Sequence, residues 1–448
     1  MKILLLSLAF LVPSLRAAEN FIVILADDLG YGDLGCYGSG TIKTPNLDRL
    51  ATEGRKFTDC LVPSSLCSPS RAGLLTACYP KRVGLQKGVL FPLSKIGLNP
   101  AEFTIADYFK SLDYATACIG KWHLGHLPEV LPRANGFDYY YGIPYSNDMN
   151  HPDNSNRVDR IADESWLHQD EWVKKWNTPL IKNEEIIELP VNQRTITRRY
   201  TDKAIDFVRE NKAKPFFLYL PHSMPHVPLF VPEDATDPDP KNAYKAVVEH
   251  LDKEIGRLVD EIRSLGLSER TWIIFTSDNG PAIHLGHHGG LALPLRGGKG
   301  ASFEGGQRVP LIVWAPGRVP AGTSTNNLIT TIDLLPSLAS LSGEALPDEN
   351  LIDGMDLSHL LTAEDGPSRT EFLYYGPQGD LEGIRKGDWK LRKTTRDGLM
   401  LFNLAEDIRE RKNLAKTHPE MIADLTARMK ELDAEVTAGA RPVWTKGG

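Results

Sequence analysis

The chain has 448 residues, 24% of them charged and 41% hydrophobic, with a formal net charge of −7. That length exceeds one small core and suits a large α/β domain with a smaller companion. The negative balance argues against nucleic acid as the main partner, so an anionic ligand would need a local basic pocket.

In chain order, Met1-Lys2 is a minimal positive region, Ile3 to Val12 is apolar, and Pro13 to Ala18 holds small residues. This pattern reads as a secretory signal peptide, too short to span a bilayer, and no later run approaches transmembrane length. The mature protein is therefore expected to be exported, with no membrane span. Asn20 to Ala26 is a compact apolar run, a strand buried on both faces, ending at Asp27-Asp28-Leu29-Gly30. Two adjacent acids at the end of a buried strand are costly unless a cation or several donors meet them. A solvated turn is the plainer alternative.

Thr44 to Ala51 is a capped helix with Pro45 at its first position and Gly54 closing it. In Cys67-Ser68-Pro69-Ser70-Arg71, followed by Ala72-Gly73-Leu74-Leu75-Thr76, Ser68 is the expected N-cap and Pro69 the first helical residue. Cys67 would then sit just outside a helix N-terminus, where free N–H groups attract an anion, with Arg71 one turn on. A sulfur nucleophile beside an anion site and an ordinary buried cysteine beside a cap both fit those residues.

Thr104 to Leu112 is helical, and Tyr114 to Ile119 is a strand ending in Gly120-Lys121-Trp122-His123. Asn150 to Leu189 is polar with scattered tryptophans and reads as an insertion over the ligand edge of the sheet. Arg194 to Asn211 is a helix, Phe216 to Leu220 a strand running into Pro221-His222-Ser223-Met224-Pro225-His226, and Tyr244 to Leu265 a long amphipathic helix. Trp272 to Thr276 is a strand leading into Ser277-Asp278-Asn279-Gly280. A histidine-rich stretch, His284 to His288, and a loop carrying Lys299 follow, then a strand at Val309 to Trp314 and a helix at Thr331 to Ser342. Beyond about Asp365 the pattern changes to short strands and a closing helix over Met421 to Val436.

Four strands thus end in chemistry-capable groups: Asp27 and Asp28, Lys121 and His123, His222, and Asp278 with Asn279. Strands of a parallel sheet share a carboxyl edge, so these groups can converge on one crevice. The acids and Asn279 are hard oxygen donors suited to Ca²⁺ or Mg²⁺ rather than zinc. Arg71, Lys121 and Lys299 are fixed cations, and the histidines move protons near neutral pH.

Cys-x-Pro-x-Arg followed by a Leu-Leu-Thr helix resembles the signature of the formylglycine-dependent sulfatases, with the arylsulfatase A and N-acetylgalactosamine-6-sulfatase branch nearest, and the likeness spans most of the chain. The resemblance implies an α/β, alkaline-phosphatase-like sandwich. Its large, mostly parallel sheet is flanked by helices, and a small C-terminal antiparallel sheet carries a helix. The divisions it implies are residues 1–18 as signal peptide, 19–365 as catalytic domain and 366–448 as C-terminal subdomain. It assigns Asp27, Asp28, Asp278, Asn279 and Cys67 to calcium, and Cys67, oxidised to formylglycine (3-oxoalanine) by a maturation enzyme, to covalent attack on sulfur. Arg71, Lys121 and His123 would serve the hydrated aldehyde. His222 and Lys299 would bind sulfate and protonate the leaving oxygen, and Ser146 matches a sulfate-contacting serine. The substrate class implied is a sulfated carbohydrate. Alternatives are a phosphonate or phosphate monoester hydrolase on the same scaffold and a catalytically silent carbohydrate-binding relative.

Two positions depart from the family pattern: Cys78 follows the Leu-Leu-Thr helix, and His284 to His288 is unusually rich in histidine, fitting substrate contact or a metal. With Cys67 modified, Cys36, Cys60, Cys78 and Cys118 would permit two disulfides in an oxidising compartment.

Overall fold

The computed structural model describes residues 18–151, 176–232, 234, 239–347, 351–364 and 366–447. The signal-peptide reading and Trp166 and Trp172 lie outside them. Eleven strands form one large sheet: β1 (Asn20–Ala26), β2 (Arg55–Leu61), β3 (Ala115–Ile119), β4 (Tyr139–Gly142), β5 (Leu180–Lys182), β6 (Glu185–Glu188), β7 (Phe216–Pro221), β8 (Thr271–Ser277), β9 (Arg308–Trp314), β10 (Thr323–Thr325) and β11 (Ile329–Thr330). Their spatial order is β10-β2-β9-β8-β1-β7-β3-β4-β5-β6, with β11 also on β2. The central strands β8, β1, β7, β3 and β4 are mutually parallel, whereas β9 and β5 run against their neighbours. The mostly parallel sheet expected from the sequence is therefore present, and its carboxyl edge is a single line. Part of the polar stretch read as an insertion is instead the β5–β6 hairpin at the sheet edge, and Trp176 beside it is buried.

β1 sits at the centre because every one of its residues is apolar enough, or paired enough, to be buried. Ile22, Ile24 and Ala26 face a layer that includes helices α1 (Pro45–Glu53), α4 (Ile196–Asn211) and α5 (Ala243–Ser264). Phe21, Val23 and Leu25 face the opposite layer, where α2 (Cys67–Thr76), α3 (Ile105–Ser111) and α6 (Leu334–Ser342) pack. Alternation along one strand thus feeds two cores, each fully buried aliphatic or aromatic side chain contributing roughly 1.5–3 kcal/mol.

The helix α2 begins two residues earlier than its sequence implies. Leu66 is the N-cap and its carbonyl accepts from Ser70 N, while Cys67, Ser68 and Pro69 are the first three helical residues. Proline is tolerated at the third position because no N–H there has an intrahelical partner. Ser68 does not cap; its Oγ accepts from Leu90 N at 3.0 Å.

No disulfide forms, and all five cysteines are free thiols. Geometry forbids the pairing of Cys60 with Cys118: β2 and β3 are five strand positions apart, about 24 Å at ~4.8 Å per step, against a bridgeable Cα separation of about 7 Å.

A four-stranded antiparallel sheet, β12 (Glu371–Tyr375), β13 (Leu381–Lys386), β14 (Trp389–Thr394) and β15 (Gly398–Asn403), carries the closing helix α7 (Pro419–Ala438). Buried ion pairs stitch it to the large sheet. Arg385 forks onto both oxygens of Asp59 on β2 at 2.8 and 2.7 Å. Lys390 reaches Glu304 at 2.8 Å and Glu410 at 2.9 Å. Burial works against the Glu304 carboxylate, but Lys390, Arg308 and Arg385 together hold it well below its ordinary range. Glu304 lies between Lys299 and β9, so the small sheet braces the loop that brings Lys299 to the site.

Candidate active site

The ladder of the central sheet continues past the strand ends, and this sets where each polar side chain lands. His222 N donates to Leu25 O, Asp27 N to Met224 O, Asp278 N to Ala26 O, and Lys121 N to Pro221 O. Lys121 and His123 follow Gly120, whose φ is +138° and whose absent Cβ would lie 1.9 Å from Pro221 O. Only glycine fits there, and it lets β3 and β7 stay paired to the rim. Asp28 and His123 both hold a left-handed backbone, φ 61° in each, a conformation costing on the order of 1–3 kcal/mol and concentrated at functional sites.

Cys67 and Arg71, four residues apart on α2, share one helix face and point into the same crevice. The Cys67 thiol stands 3.4 Å from Asp27 Oδ1 and 4.0 Å from Asp28 Oδ1. Arg71 donates Nε and Nη2 to Asp278 Oδ2 at 2.9 and 2.8 Å and Nη1 to Lys121 O at 2.7 Å, and its Nη2 lies 3.6 Å from Asp27. Lys121 Nζ pairs with Asp27 Oδ2 and donates to Ser146 Oγ at 3.2 Å. Lys299 Nζ donates to Asp28 Oδ2 at 2.8 Å, and its loop is pinned to the Cys67 loop by Gly300 N on Ser65 O. Asn279 Nδ2 donates to Asp28 Oδ1 at 2.7 Å, while its Oδ1 is buried without a partner.

Three carboxylates and three fixed cations therefore meet in a dry floor, where an isolated ion would cost several kcal/mol. Burial pushes Asp27 up, but Lys121, His226 and Arg71 outweigh it and hold its carboxyl below the ordinary value. Burial and the Asp27 charge hold Asp278 above its ordinary value, against the opposing pull of Arg71, Lys121 and Lys299. Burial and the Asp278 charge also push the Cys67 thiol far up, so an unmodified Cys67 is held protonated and is a poor nucleophile.

His123 is buried, and burial with the charges of Lys121 and Arg71 drives its pKa well below the ordinary value, leaving a neutral ring. Its Nε2 meets Leu90 O at 3.0 Å and its Nδ1 has no partner. A carbonyl can only accept, so Nε2 carries the hydrogen and Nδ1 presents a lone pair.

The structure does not bring His222 to this cluster. Both of its ring nitrogens are buried without a partner, and it packs against Tyr200. Four residues on, His226 Nε2 lies 3.6 Å from Asp28 Oδ2 and takes the place expected of His222. Among the described residues, the group that could hold a metal ion through His, Cys or acidic ligands is Asp27, Asp28, Cys67 and His226. Pro225 and Pro228 interrupt the extended run after β7, so strand alternation could not be extrapolated to His226 from sequence. Leu90, whose carbonyl orients His123, gave no sequence signal at all. His284 and His287 are exposed, and His288 is buried against Pro240 O.

Burial holds His222 at about 3, far below an unfolded histidine near 6.5. The unfolded chain thus binds an extra proton between those values, so this residue withdraws stability as pH falls from 6.5 toward 3, by up to about 1.4 kcal/mol per pH unit. His222→Leu is expected to flatten the fall in thermal midpoint between pH 6.5 and 4 while leaving turnover intact. An unchanged pH slope with lost activity would return His222 to the site.

Known proteins resemble this chain over most of its length. A family model described as Sulfatase matches residues 19–344, and one described as N-sulphoglucosamine sulphohydrolase, C-terminal, matches residues 298–435. Arylsulfatase A of Bos taurus is 36% identical, with 94% of this chain and 89% of that protein covered. N-acetylgalactosamine-6-sulfatase of Canis lupus familiaris is 34% identical over 83% of this chain and 71% of its own length. The solved structure of Ps i-CgsB in complex with k-i-k-neocarrahexaose superposes with a TM-score of 0.79 at 30% identity, covering 93% and 92% of the two chains.

Proposed function

The chain belongs to the sulfatase family, with its alkaline-phosphatase-like fold, and is a sulfuric ester hydrolase; from that premise we propose that it removes O-sulfate from carbohydrates using a formylglycine at position 67 and one calcium ion. The observation that carries this reading is the convergence of Asp27, Asp28, Asp278 and Asn279 with Arg71, Lys121 and Lys299 around the first helical residue of α2. The donors fit calcium: three carboxylates are hard oxygen ligands, and the unpartnered Asn279 Oδ1 is a fourth. When present, calcium supplies a Lewis acid for sulfate oxygens, and the hydrated aldehyde of formylglycine supplies the attacking oxygen and a second hydroxyl for sulfate release.

The chain's own residues do the rest. Arg71 and Lys121 keep fixed positive charge beside residue 67, where negative charge grows on the sulfuryl oxygens. Ser146 holds Lys121 from the other side. Lys299 and His226 face the crevice across Asp28, the side on which the leaving oxygen needs a cation and a proton. The lone pair on His123 Nδ1 accepts the proton that must leave residue 67 in the second step. Sugar substrates are favoured by the relatives whose names carry N-acetylgalactosamine and neocarrahexaose. We further take residues 19–365 as the catalytic domain and 366–448 as its C-terminal subdomain. Residues 1–18 would be a signal for export, after which a formylglycine-generating enzyme or its equivalent acts. Among the described residues no helix is long and apolar enough to cross a membrane.

The test is a substrate panel on protein co-expressed with a formylglycine-generating enzyme: sulfated hexosamines and galactans, 4-nitrophenyl sulfate, and phenyl phosphonate esters. Sulfate release from sugars that ceases with a chelator and returns with Ca²⁺ is expected. A higher kcat/KM on the phosphonate would favour the phosphonate monoester hydrolase instead. Binding of sulfated glycan without turnover, residue 67 being converted, would point to a silent carbohydrate-binding relative.

A further inference from the structure

His226 has one imidazole nitrogen facing the site and one facing the protein, and the second is unusually well determined. Its Nδ1 lies 3.1 Å from Asn147 Oδ1 and also meets the carbonyl of Val227. An amide side chain could in principle offer either end to a ring nitrogen. Here its other end is fixed: Asn147 Nδ2 donates to Pro228 O at 3.2 Å and to His226 O at 3.4 Å, and carbonyls accept only. The oxygen must therefore face His226. Two acceptors at Nδ1 require a hydrogen there, which leaves Nε2, the atom turned toward Asp28, as the position that exchanges a proton.

Asn147 is itself held. It is fully buried, and its carbonyl accepts from Gln193 Nε2 at 2.8 Å and from Thr178 Oγ1 at 3.3 Å, both buried side chains. It adjoins Ser146, which meets Lys121, so one short segment past β4 supports both the sulfate-side cation and the leaving-group side.

We propose that Asn147 is a positioning residue that fixes the tautomer and ring orientation of His226, so that Nε2 delivers a proton to the departing oxygen. The proposal rests on the reading of His226 as the proton donor. Partners one shell behind a working group alter its performance by about 10- to 100-fold in comparable settings.

The discriminating readout is leaving-group dependence, measured with aryl sulfates graded from 4-nitrophenyl sulfate to phenyl sulfate. Proton donation matters little for a good leaving group and much for a poor one. Asn147→Leu and the smaller Asn147→Ala are expected to lose about 10- to 100-fold in kcat on phenyl sulfate, and under about 5-fold on 4-nitrophenyl sulfate. In a His226→Gln background the same substitutions should add little, because the two residues act as one unit. Equal losses on every ester, or full additivity with His226→Gln, would overturn the proposal by reducing Asn147 to a structural role. A readout independent of turnover is ¹⁵N NMR of the His226 ring, assigned by its loss in His226→Gln. A hydrogen on Nδ1 is expected, and a ring whose Nδ1 carries none would overturn the proposal. Failure of the wild type to release sulfate from any sugar or aryl sulfate, with Nδ1 protonated, would instead count against the sulfatase mechanism while leaving the assigned tautomer in place.

Discussion

Replacing Cys67 by alanine is expected to abolish sulfate ester hydrolysis, lowering kcat/KM by on the order of 10⁴-fold or more, as loss of a covalent nucleophile does. The fold should barely register the change. Cys67 occupies the first position of α2, where alanine is well tolerated, and its thiol contacts carboxylates only as a weak donor at 3.4 and 4.0 Å. A stability change within about 1 kcal/mol is therefore expected by thermal or denaturant unfolding. Cys67→Ala also separates two accounts of the site. If the carboxylates and cations alone activated water, the variant would keep most of its activity. If position 67 carries the attacking oxygen, nothing in Asp27, Arg71 or Lys121 replaces it.

Arg71→Met is expected to damage both stability and turnover. The guanidinium is fully buried and makes three hydrogen bonds, two to Asp278 and one to the Lys121 carbonyl. Removing it strands the Asp278 charge in a dry interior, and breaking such a pair costs about 3–5 kcal/mol, a large part of a domain's net stability. Activity should fall on the order of 10²- to 10³-fold through loss of a charge-stabilising group. Arg71→Lys should restore little, because a single ammonium nitrogen cannot stand at the separate Nε, Nη1 and Nη2 positions from which the planar guanidinium reaches Asp278 and the Lys121 carbonyl. Calcium supplies an opposing charge to the same carboxylates and binds the folded state alone, so the deficit should shrink in excess Ca²⁺ and widen under chelation. Equal deficits in both conditions, read from the thermal midpoint, would argue that the carboxylates hold no metal.

The parallel core was legible because a buried strand advertises itself: Phe-Ile-Val-Ile-Leu admits no solvated face, and β7 and β8 are nearly as apolar. The positions of Asp27, Lys121 and Asp278 followed from one rule, that polar groups just past parallel strands share an edge. β2 escaped notice because Arg55, Lys56 and Asp59 look like surface residues. Asp59 is buried because Arg308 and Arg385, the latter 326 residues away in sequence, pair with it. No local pattern encodes a partner that distant. His226 was displaced to His222 for a similar reason, since which of two nearby histidines faces a crevice depends on turns at Pro225 and Pro228. The start of α2 shifted because capping preference alone favoured Ser68, whereas the Leu90 amide claims that hydroxyl in the folded chain.

The measurement that bears most directly on the account is mass spectrometry of the peptide spanning residue 67, from protein expressed with a formylglycine-generating enzyme. Replacement of the Cys67 thiol by an aldehyde is predicted, tracking sulfatase activity across preparations of differing conversion. Full activity in protein whose Cys67 remains an intact thiol would contradict it.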